Sequence, residues 1–406
     1  MTTPLQGLKV LDLSRVLAGP WAGQLLGDYG ADVVKVEKPV VGDDTRHWGP
    51  PWVDGSMTDS AYFHSANRNK RSITIDIASR AGQLLIVELA KTADIFIENY
   101  RVGTLKKYGL DFATLAAANP RLVYCSISAY GQQGSRAREP GYDAMIQAAA
   151  GLMSITGPES RATDAQDAGP QKVGVAISDI MAGMYATTAI LAALHARERS
   201  GKGQHIDVPL YDSQVAWLAN QNMNYLIGGE TPHRMGTAHP NLCPYQVFRT
   251  ADSELMLAVG NDRQFASCCR ALGVAELSRD VRFAGMSQRV ANREGLVARL
   301  QERFVLETTA NWLATFREHG VPAGPINDIA TVLSNDHAKE RQLVRELPKA
   351  SGGLVPTVSN PVAFSETPVC YEKAPPELGE QTDEVLSEWL GYSDAQLQQL
   401  HLDKVI

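Results

Sequence analysis

An α/β fold built on a mainly parallel sheet is what this sequence predicts, and three observations carry it. The first third of the chain alternates short β-rich runs with helical stretches. That pattern sets strands side by side with helices on both faces. At 406 residues the chain exceeds one ordinary core, so a second region is expected beside the sheet. A Gly- and Pro-rich polar stretch, residues 227–240 (IGGETPHRMGTAHP), marks the connector into it.

Residues 8–13 (LKVLDL) read as a buried strand and residues 20–28 as a short helix after a Gly-Pro turn. Residues 32–36 (DVVKV), 72–76, 94–98 (DIFIE) and 122–126 (LVYCS) read as further strands, with a helix at about 79–91. A long helix is expected from Asp179 to about Arg199. Gly201 suits a left-handed stop, and Arg197 and Arg199 complement the last turn. Residues 207–210 are one more strand, and Asp212 or Ser213 is expected to cap a helix running to Asn224. The second region carries a strand at 255–259 and several helices. Residues 320–325 (GVPAGP) form another connector, and the tail holds a strand pair and a final helix. Domain boundaries follow at 1–225, 226–325 and 326–406.

In parallel sheets, ligands bind beyond the carboxyl ends of the strands. Those ends are Ser14-Arg15, Glu37-Lys38, Glu98-Asn99-Tyr100 and Ser128-Ala129-Tyr130-Gly131. Ordinary turn chemistry would explain any one of them; four polar strand ends together point to a site.

A net charge of −7 argues against a general nucleic-acid binder. The start MTTPLQGLKVLDL has neither the charged nor the apolar segment of a secretory signal, and no apolar run approaches the ~20 residues of a membrane helix. Five scattered cysteines without a CxxC, and histidines without HExxH spacing, argue against disulfides and structural zinc. A cytoplasmic, metal-free protein is the expectation. There is no GxGxxG after a strand and no GxSxG. Ser200-Gly-Lys-Gly203 lacks the upstream Gly and the following Ser or Thr of a phosphate loop.

Four segments carry a resemblance. They are GLKVLDLSRVLAGPWAGQLLGDYGADVVKVEKP with GDDTR, then Asn67–Ser72 (NRNKRS), then Glu98–Gly103 (ENYRVG), and then Gly141-Tyr142-Asp143 with residues 174–183 (GVAISDIMAG). Together they resemble the family III CoA-transferases (CaiB/BaiF, formyl-CoA transferase-like) across nearly the whole chain. The strings RVLAGP, GDDTR-x-WGPP, GTAH and PYQ-x-F are similar to the succinyl-CoA:glutarate CoA-transferase group.

The resemblance implies a Rossmann-like large domain from both chain ends, a smaller α/β middle domain and an interlocked homodimer. It implies a nucleophile at Asp179, with CoA moving from succinyl-CoA to a short dicarboxylate through an aspartyl-CoA thioester. CoA is then a substrate rather than a permanent cofactor, and the partners are acyl-CoA, a dicarboxylic acid and a second copy of the chain. A carboxylate suits this transfer because its anhydride and thioester both retain the energy of the substrate thioester. An Asp at a helix N-terminus is also the usual capping residue, a reading that Asp179 shares.

By resemblance, Lys38, Asn67, Arg68, Lys70, Arg71, Asn99, Tyr100, Lys107, Tyr142 and Asp143 surround CoA. Arg68, Lys70 and Arg71 form the one dense basic cluster, suited to phosphate unless they are a turn before a strand. Arg15, Arg46, Arg234 and His239 are candidates for the distal carboxylate of a diacid. Some relatives carry a Gln before the Ala-Gly-Pro as an oxyanion donor; Leu17 stands here, so backbone N–H groups or Arg15 must serve. The α-methylacyl-CoA racemases share the fold but carry Gly-His-Asp where Tyr142 stands. Tyr titrates near ~10 and cannot readily replace that His. Racemisation and a non-catalytic CoA-binding role are the alternatives.

Overall fold

The computed structural model describes residues 2–55, 57–159 and 169–406. Six strands form one sheet in the order β3-β2-β1-β4-β5-β6. These are β1 (Lys9–Asp12), β2 (Asp32–Glu37), β3 (Lys70–Thr74), β4 (Ile95–Glu98), β5 (Val123–Ser128) and β6 (His205–Pro209). Every neighbouring pair is parallel. The chain moves outward from β1 to β3 and then crosses back to β4 beside β1, so β1 and β4 flank the point where strand order reverses. Ligand crevices open at such points.

Both faces of the sheet are covered, which is why its strands read as continuous apolar runs rather than alternating ones. On one face Leu11, Val34, Phe96 and Tyr124 pack with Leu85 and Leu89 of the Arg80–Thr92 helix and with Val385, Leu386 and Trp389 from the tail. On the other, Val10, Val33, Ile95, Ile97 and Val123 pack with Ala18, Ala22 and Leu26 of the Ala18–Asp28 helix and with Ala182, Ala186 and Ile190 of the Ile177–Ser200 helix. Gly19, Gly23 and Gly27 lie four residues apart on the first of these helices. A Cβ on Gly23 would sit 2.6 Å from an Asp12 carboxylate oxygen, and one on Gly27 2.8 Å from the Asn69 carbonyl. Their absence of side chains lets the helix lie directly on the sheet.

The chain divides into two compact units. The first comprises Met1–Leu152, Val173–Leu226 and Asp336–Ile406 and holds the parallel sheet. Its tail adds an antiparallel pair, Val344–Pro348 with Leu354–Val358, and the helices Thr382–Leu390 and Asp394–Leu402. The second comprises Met153–Lys172 and Ile227–Asn335. Its antiparallel sheet of Tyr245–Arg249, Glu254–Ala258 and Ala323–Pro325 packs with Phe248, Phe265, Phe304, Trp312 and Phe316 in one apolar core.

Four local expectations need correction. The helix after β6 begins at Leu210 with Pro209 at its N-cap, so Asp212 and Ser213 lie inside it rather than capping it. It breaks near Ala219, which has a left-handed φ of 47°, before Asn220–Gly228 resumes. The 320–325 connector contains the strand Ala323–Pro325. The Ile177–Ser200 helix is long and apolar enough to cross a bilayer by length and composition, contrary to the reading of the apolar runs. Ala182, Ala186, Ile190 and Ala193 on that helix are buried in the protein core. Its stop at Gly201, with φ 70°, follows the expected left-handed cap.

Candidate active site

The chain leaving β1 is held from beneath by buried charge. Asp12 accepts the Ser14 N–H at 2.9 Å and the Ser14 hydroxyl. Lys70 donates to Asp12 at 3.1 Å, to the Pro20 carbonyl at 2.9 Å and to Asn67 at 2.9 Å. Lys35 donates to the Ser14 carbonyl and to Asp43, both at 2.9 Å. Two lysines thus fix both ends of the loop from Ser14 to Pro20.

Between those ends lies Val16, a β-branched residue at φ 70°. Such a conformation costs on the order of 1–3 kcal/mol and persists only where the surroundings enforce it. Here the Asp43 carboxylate does so, accepting the Val16 N–H at 3.2 and 3.3 Å. Lys35 holds that carboxyl down to about 2 against the opposing effect of burial. Next to Val16, Arg15 is bracketed by one amide: its N–H donates to Asn99 Oδ1 at 2.8 Å, and Asn99 Nδ2 returns to its carbonyl at 2.6 Å. This bracket ties the end of β1 to the end of β4. After the strained residue the Ala18–Asp28 helix starts without a side-chain cap, because Leu17 has nothing to offer. The N–H groups of Leu17, Ala18 and Gly19 meet no acceptor among the described residues. They are available as donors to an oxyanion.

Asp179 lies in the first turn of the Ile177–Ser200 helix. The cap of that helix comes from Asp143, whose Oδ1 accepts the Ser178 N–H at 2.7 Å and the Asp179 N–H at 3.4 Å. Gln147 donates to the other oxygen of Asp143 at 2.7 Å, and Ser178 donates to Gln214 at 2.7 Å. Burial, and then the charge of Asp143, push the Asp179 carboxyl up to about 7. The Tyr62 hydroxyl feels the same two carboxylates; burial and their charge push it up to about 12.

Asp179, Arg15, Leu17, Ala18, Tyr100 and Tyr142 line one cavity of about 220 Å³. A neighbouring cavity of about 330 Å³ shares Arg15, Asp44 and Tyr100 with it and adds Lys38, Thr104 and Tyr108. A carboxyl poised near neutrality, free backbone donors and a guanidinium border one space. The arrangement suits attack on a carbonyl and stabilisation of the oxyanion that forms.

The model of the CoA-transferase family III matches residues 5–382. The chain belongs to that family. It is 47% identical over 394 residues to a succinate–glutarate CoA-transferase of Agrobacterium fabrum, covering 95% of each chain. It is 42% identical over 397 residues to the human succinyl-CoA:glutarate CoA-transferase, covering 98% of this chain and 88% of that one. A crystal structure of a CAIB/BAIF family protein from Brucella suis superposes with a TM-score of 0.83 at 47% identity, covering 96% of this chain and all of that one. The protein is therefore an enzyme of CoA transfer, and acyl-CoA thioesters are its substrates.

For a family III CoA-transferase, several residues read as CoA ligands have other duties in this fold. Arg68, Lys70 and Arg71 adjoin in sequence but are all buried and committed to carboxylates. Arg68 pairs with Asp28 at 2.5 Å, Lys70 with Asp12 at 3.1 Å, and Arg71 with Asp32 at 2.6 Å and with Glu384 and Glu388 of the tail. Asn67 is fully buried and holds Lys70. All four residues therefore have a structural duty in this fold, beside the CoA contacts expected of them. Arg46, read as a carboxylate clamp, is likewise spent: its guanidinium grips Glu37 at 2.7 and 2.8 Å and lies 3.8 Å over the Phe63 ring. Asp143, read as a CoA contact, caps the Ile177–Ser200 helix.

Other predicted residues do meet. Arg15, Asn99, Tyr100, Tyr142 and Asp179 border the first cavity and Lys38 the second. Lys107 is exposed at the end of the Thr104–Lys107 helix. Arg234 and His239 belong to the second unit. There Arg234 donates to the Pro158 carbonyl at 3.2 Å, and the His239 ring accepts the Asn241 N–H at 3.0 Å. Burial and then Arg293 lower the His239 imidazole below its usual value. Sequence reasoning missed Lys35, Asp43 and Tyr62. Asp43 had a signal, as the first acid of the matched GDDTR string. Lys35 and Tyr62 had none, since only the tertiary fold brings Lys35 to the Ser14 carbonyl and Tyr62 near Asp179 and Asp143.

Proposed function

We propose that the enzyme moves CoA from succinyl-CoA to a short dicarboxylate of the glutarate type, through a thioester on Asp179. The observation that carries the reading is Asp179 itself, partly accessible at the wall of a cavity that also contains uncapped helix amides and Arg15. The names of the relatives support succinyl-CoA as donor and glutarate as acceptor.

The Asp179 carboxylate attacks the thioester carbonyl of succinyl-CoA, and the C–S bond breaks to give a mixed anhydride and CoA thiolate. The thiolate attacks the Asp179 carbonyl of that anhydride and expels succinate, leaving aspartyl-CoA. The acceptor carboxylate attacks this thioester, and the returning thiolate attacks the acceptor's carbonyl in the new anhydride. The acceptor leaves as its CoA ester, and Asp179 is a carboxylate again. No step needs a net proton, and each carbonyl oxygen gathers charge that the N–H groups of Leu17 and Ala18, which line the cavity, are available to receive. Arg15 is suited to the distal carboxylate: its partner Asp44 is 3.3 Å away, and both side chains are about half exposed. Exposed pairs contribute about 0–1 kcal/mol, so a substrate carboxylate can displace Asp44. Tyr142, in the position where a racemase carries its acid/base histidine, favours transfer over racemisation. An interlocked homodimer is part of the proposal.

Incubation with succinyl-CoA and a panel of C4–C6 diacids, read by mass spectrometry, tests the substrates; no new acyl-CoA with any diacid overturns that reading. The nucleophile is tested by intact-mass detection of a CoA adduct that hydroxylamine releases. Adduct and turnover must both vanish in Asp179→Ala; turnover surviving in that variant removes Asp179 from the role.

A further inference from the structure

On the far side of Tyr100, Arg101 and Val102, which line the Asp179 cavity, those same residues border a second space of about 410 Å³. Glu98, Ser126 and His205 also line it. Glu98 ends β4, and only 5% of its surface is exposed. Its Oε2 accepts the Tyr100 N–H at 2.8 Å, and the nearby Ser126 hydroxyl favours the charged form of the same carboxyl. The Ser126 oxygen also lies 2.9 Å from His205 Nε2. His205 is exposed and stacks on Phe112. Ser126 and His205 thus lie between solvent and a buried carboxyl.

That carboxyl also reaches the catalytic cavity. Glu98 holds the Tyr100 N–H, the adjoining Asn99 brackets the Arg15 backbone, and Arg15 leads into strained Val16 and the uncapped amides of Leu17 and Ala18. We propose that Glu98 is a positioning residue for this reaction: its carboxylate, buried beside Ser126 and His205, holds the Asn99–Tyr100 turn in the register that the Arg15–Ala18 wall requires. The inference rests on the Asp179 cavity being the catalytic one.

The surroundings make the charge of Glu98 variable. Burial pushes it up to about 7, hydrogen bonds from Ser126 and Tyr100 pull it back, and the Asp207 charge adds to the rise. From β6, His205 and Asp207 face it, the imidazole lowered by its own burial. From β5, Tyr124 and Cys125 feel its charge, each raised first by burial. Tyr100 on its own segment is raised by burial too. Arg101, Lys106, Arg138 and Asp111 complete the charged lining. Hydrogen bonds to an ionised acceptor are roughly twice as strong as to a neutral one. The turn is therefore held tightest when Glu98 has lost its proton.

Two groups, Asp179 and Glu98, must then both be ionised for full activity. In Glu98→Gln the amide still accepts from Tyr100 but cannot titrate. The ratio of kcat/KM for succinyl-CoA, unmodified enzyme over Glu98→Gln, therefore falls from its value at pH about 8 towards one on the acid side, where the glutamate is neutral as well. At pH about 8 the rate of Glu98→Gln stays within about threefold, whereas Glu98→Ala loses more than about tenfold. Because the comparison is between proteins, ionisation of CoA itself cancels. Superimposable profiles for Glu98→Gln and the unmodified enzyme overturn the proposal. If Glu98→Gln does not fold, the infrared C=O band of a buried carboxylic acid is followed in Asp179→Asn. Loss of a band as pH rises through about 7 supports Glu98, and no such band at any pH overturns it. Failure of the nucleophile assignment is separate, since it appears as turnover in Asp179→Ala.

Discussion

As the proposed nucleophile, Asp179 must be charged to attack a thioester, yet burial and the Asp143 charge hold its proton up to about 7. The conflict is what a site that excludes water imposes on an anionic nucleophile. It has a consequence for stability. An unfolded Asp titrates near ~3.9, so between about pH 4 and 7 the folded chain binds the extra proton. Stability from this group is fully present below about pH 4 and is lost as pH rises through about 7. Asp179→Asn removes the conflict. The variant is expected to be more stable by about 1–2 kcal/mol at pH 8, allowing for partial exposure, and about equal at pH 4. Urea unfolding at both pH values measures this, and a gain of the same size at each would show that charge is not its origin.

The Ile177–Ser200 helix begins where Asp143 caps it, and that carboxylate also raises the titration of Asp179. Asp143→Asn keeps an oxygen for the Ser178 and Asp179 N–H groups but removes the charge. The acid limb of kcat/KM should move to lower pH, while Asp143→Ala should cost about 1–2 kcal/mol of stability through the lost cap. An unmoved limb in Asp143→Asn would mean that burial alone sets the Asp179 titration. The strands and the two principal helices of the sheet were legible because their apolar periodicity and their stop signals are local. The cap was not, since its donor and acceptor lie 35 residues apart. Arg68, Lys70 and Arg71 misled for the converse reason: proximity in sequence suggested one basic patch. The fold instead sends each to its own carboxylate, Asp28, Asp12 or Asp32. The left-handed Val16 gave no signal either, because the Asp43–Lys35 pair that enforces it forms only with tertiary structure.

Across the whole first unit, buried ion pairs tie the sheet to its catalytic loop and to the tail. Lys70→Met leaves Asp12 buried without its counter-charge, and the cost is about 3–5 kcal/mol. Whatever remains folded should bind acyl-CoA with unchanged KM; a tenfold rise in KM without loss of stability would restore Lys70 as a phosphate ligand. The opposite deficit lies at the surface. The Asn220–Gly228 helix has no buried residue, yet it exposes Met223, Tyr225 and Leu226. Met184 and Tyr185 are exposed on the Ile177–Ser200 helix of the same unit. A helix of so few residues is marginal in water without an apolar face packed against something. The proposed second copy of the chain would supply that packing. Because Leu226 touches little within its own chain, Leu226→Asp should disturb assembly more than folding. Sedimentation velocity should then show a dimer for the unmodified protein and a shift towards monomer for the variant. The unmodified protein's melting temperature should also rise with its concentration. A chain that sediments as a monomer at micromolar concentration, with a melting temperature indifferent to dilution, would leave these helices without the partner that their composition demands.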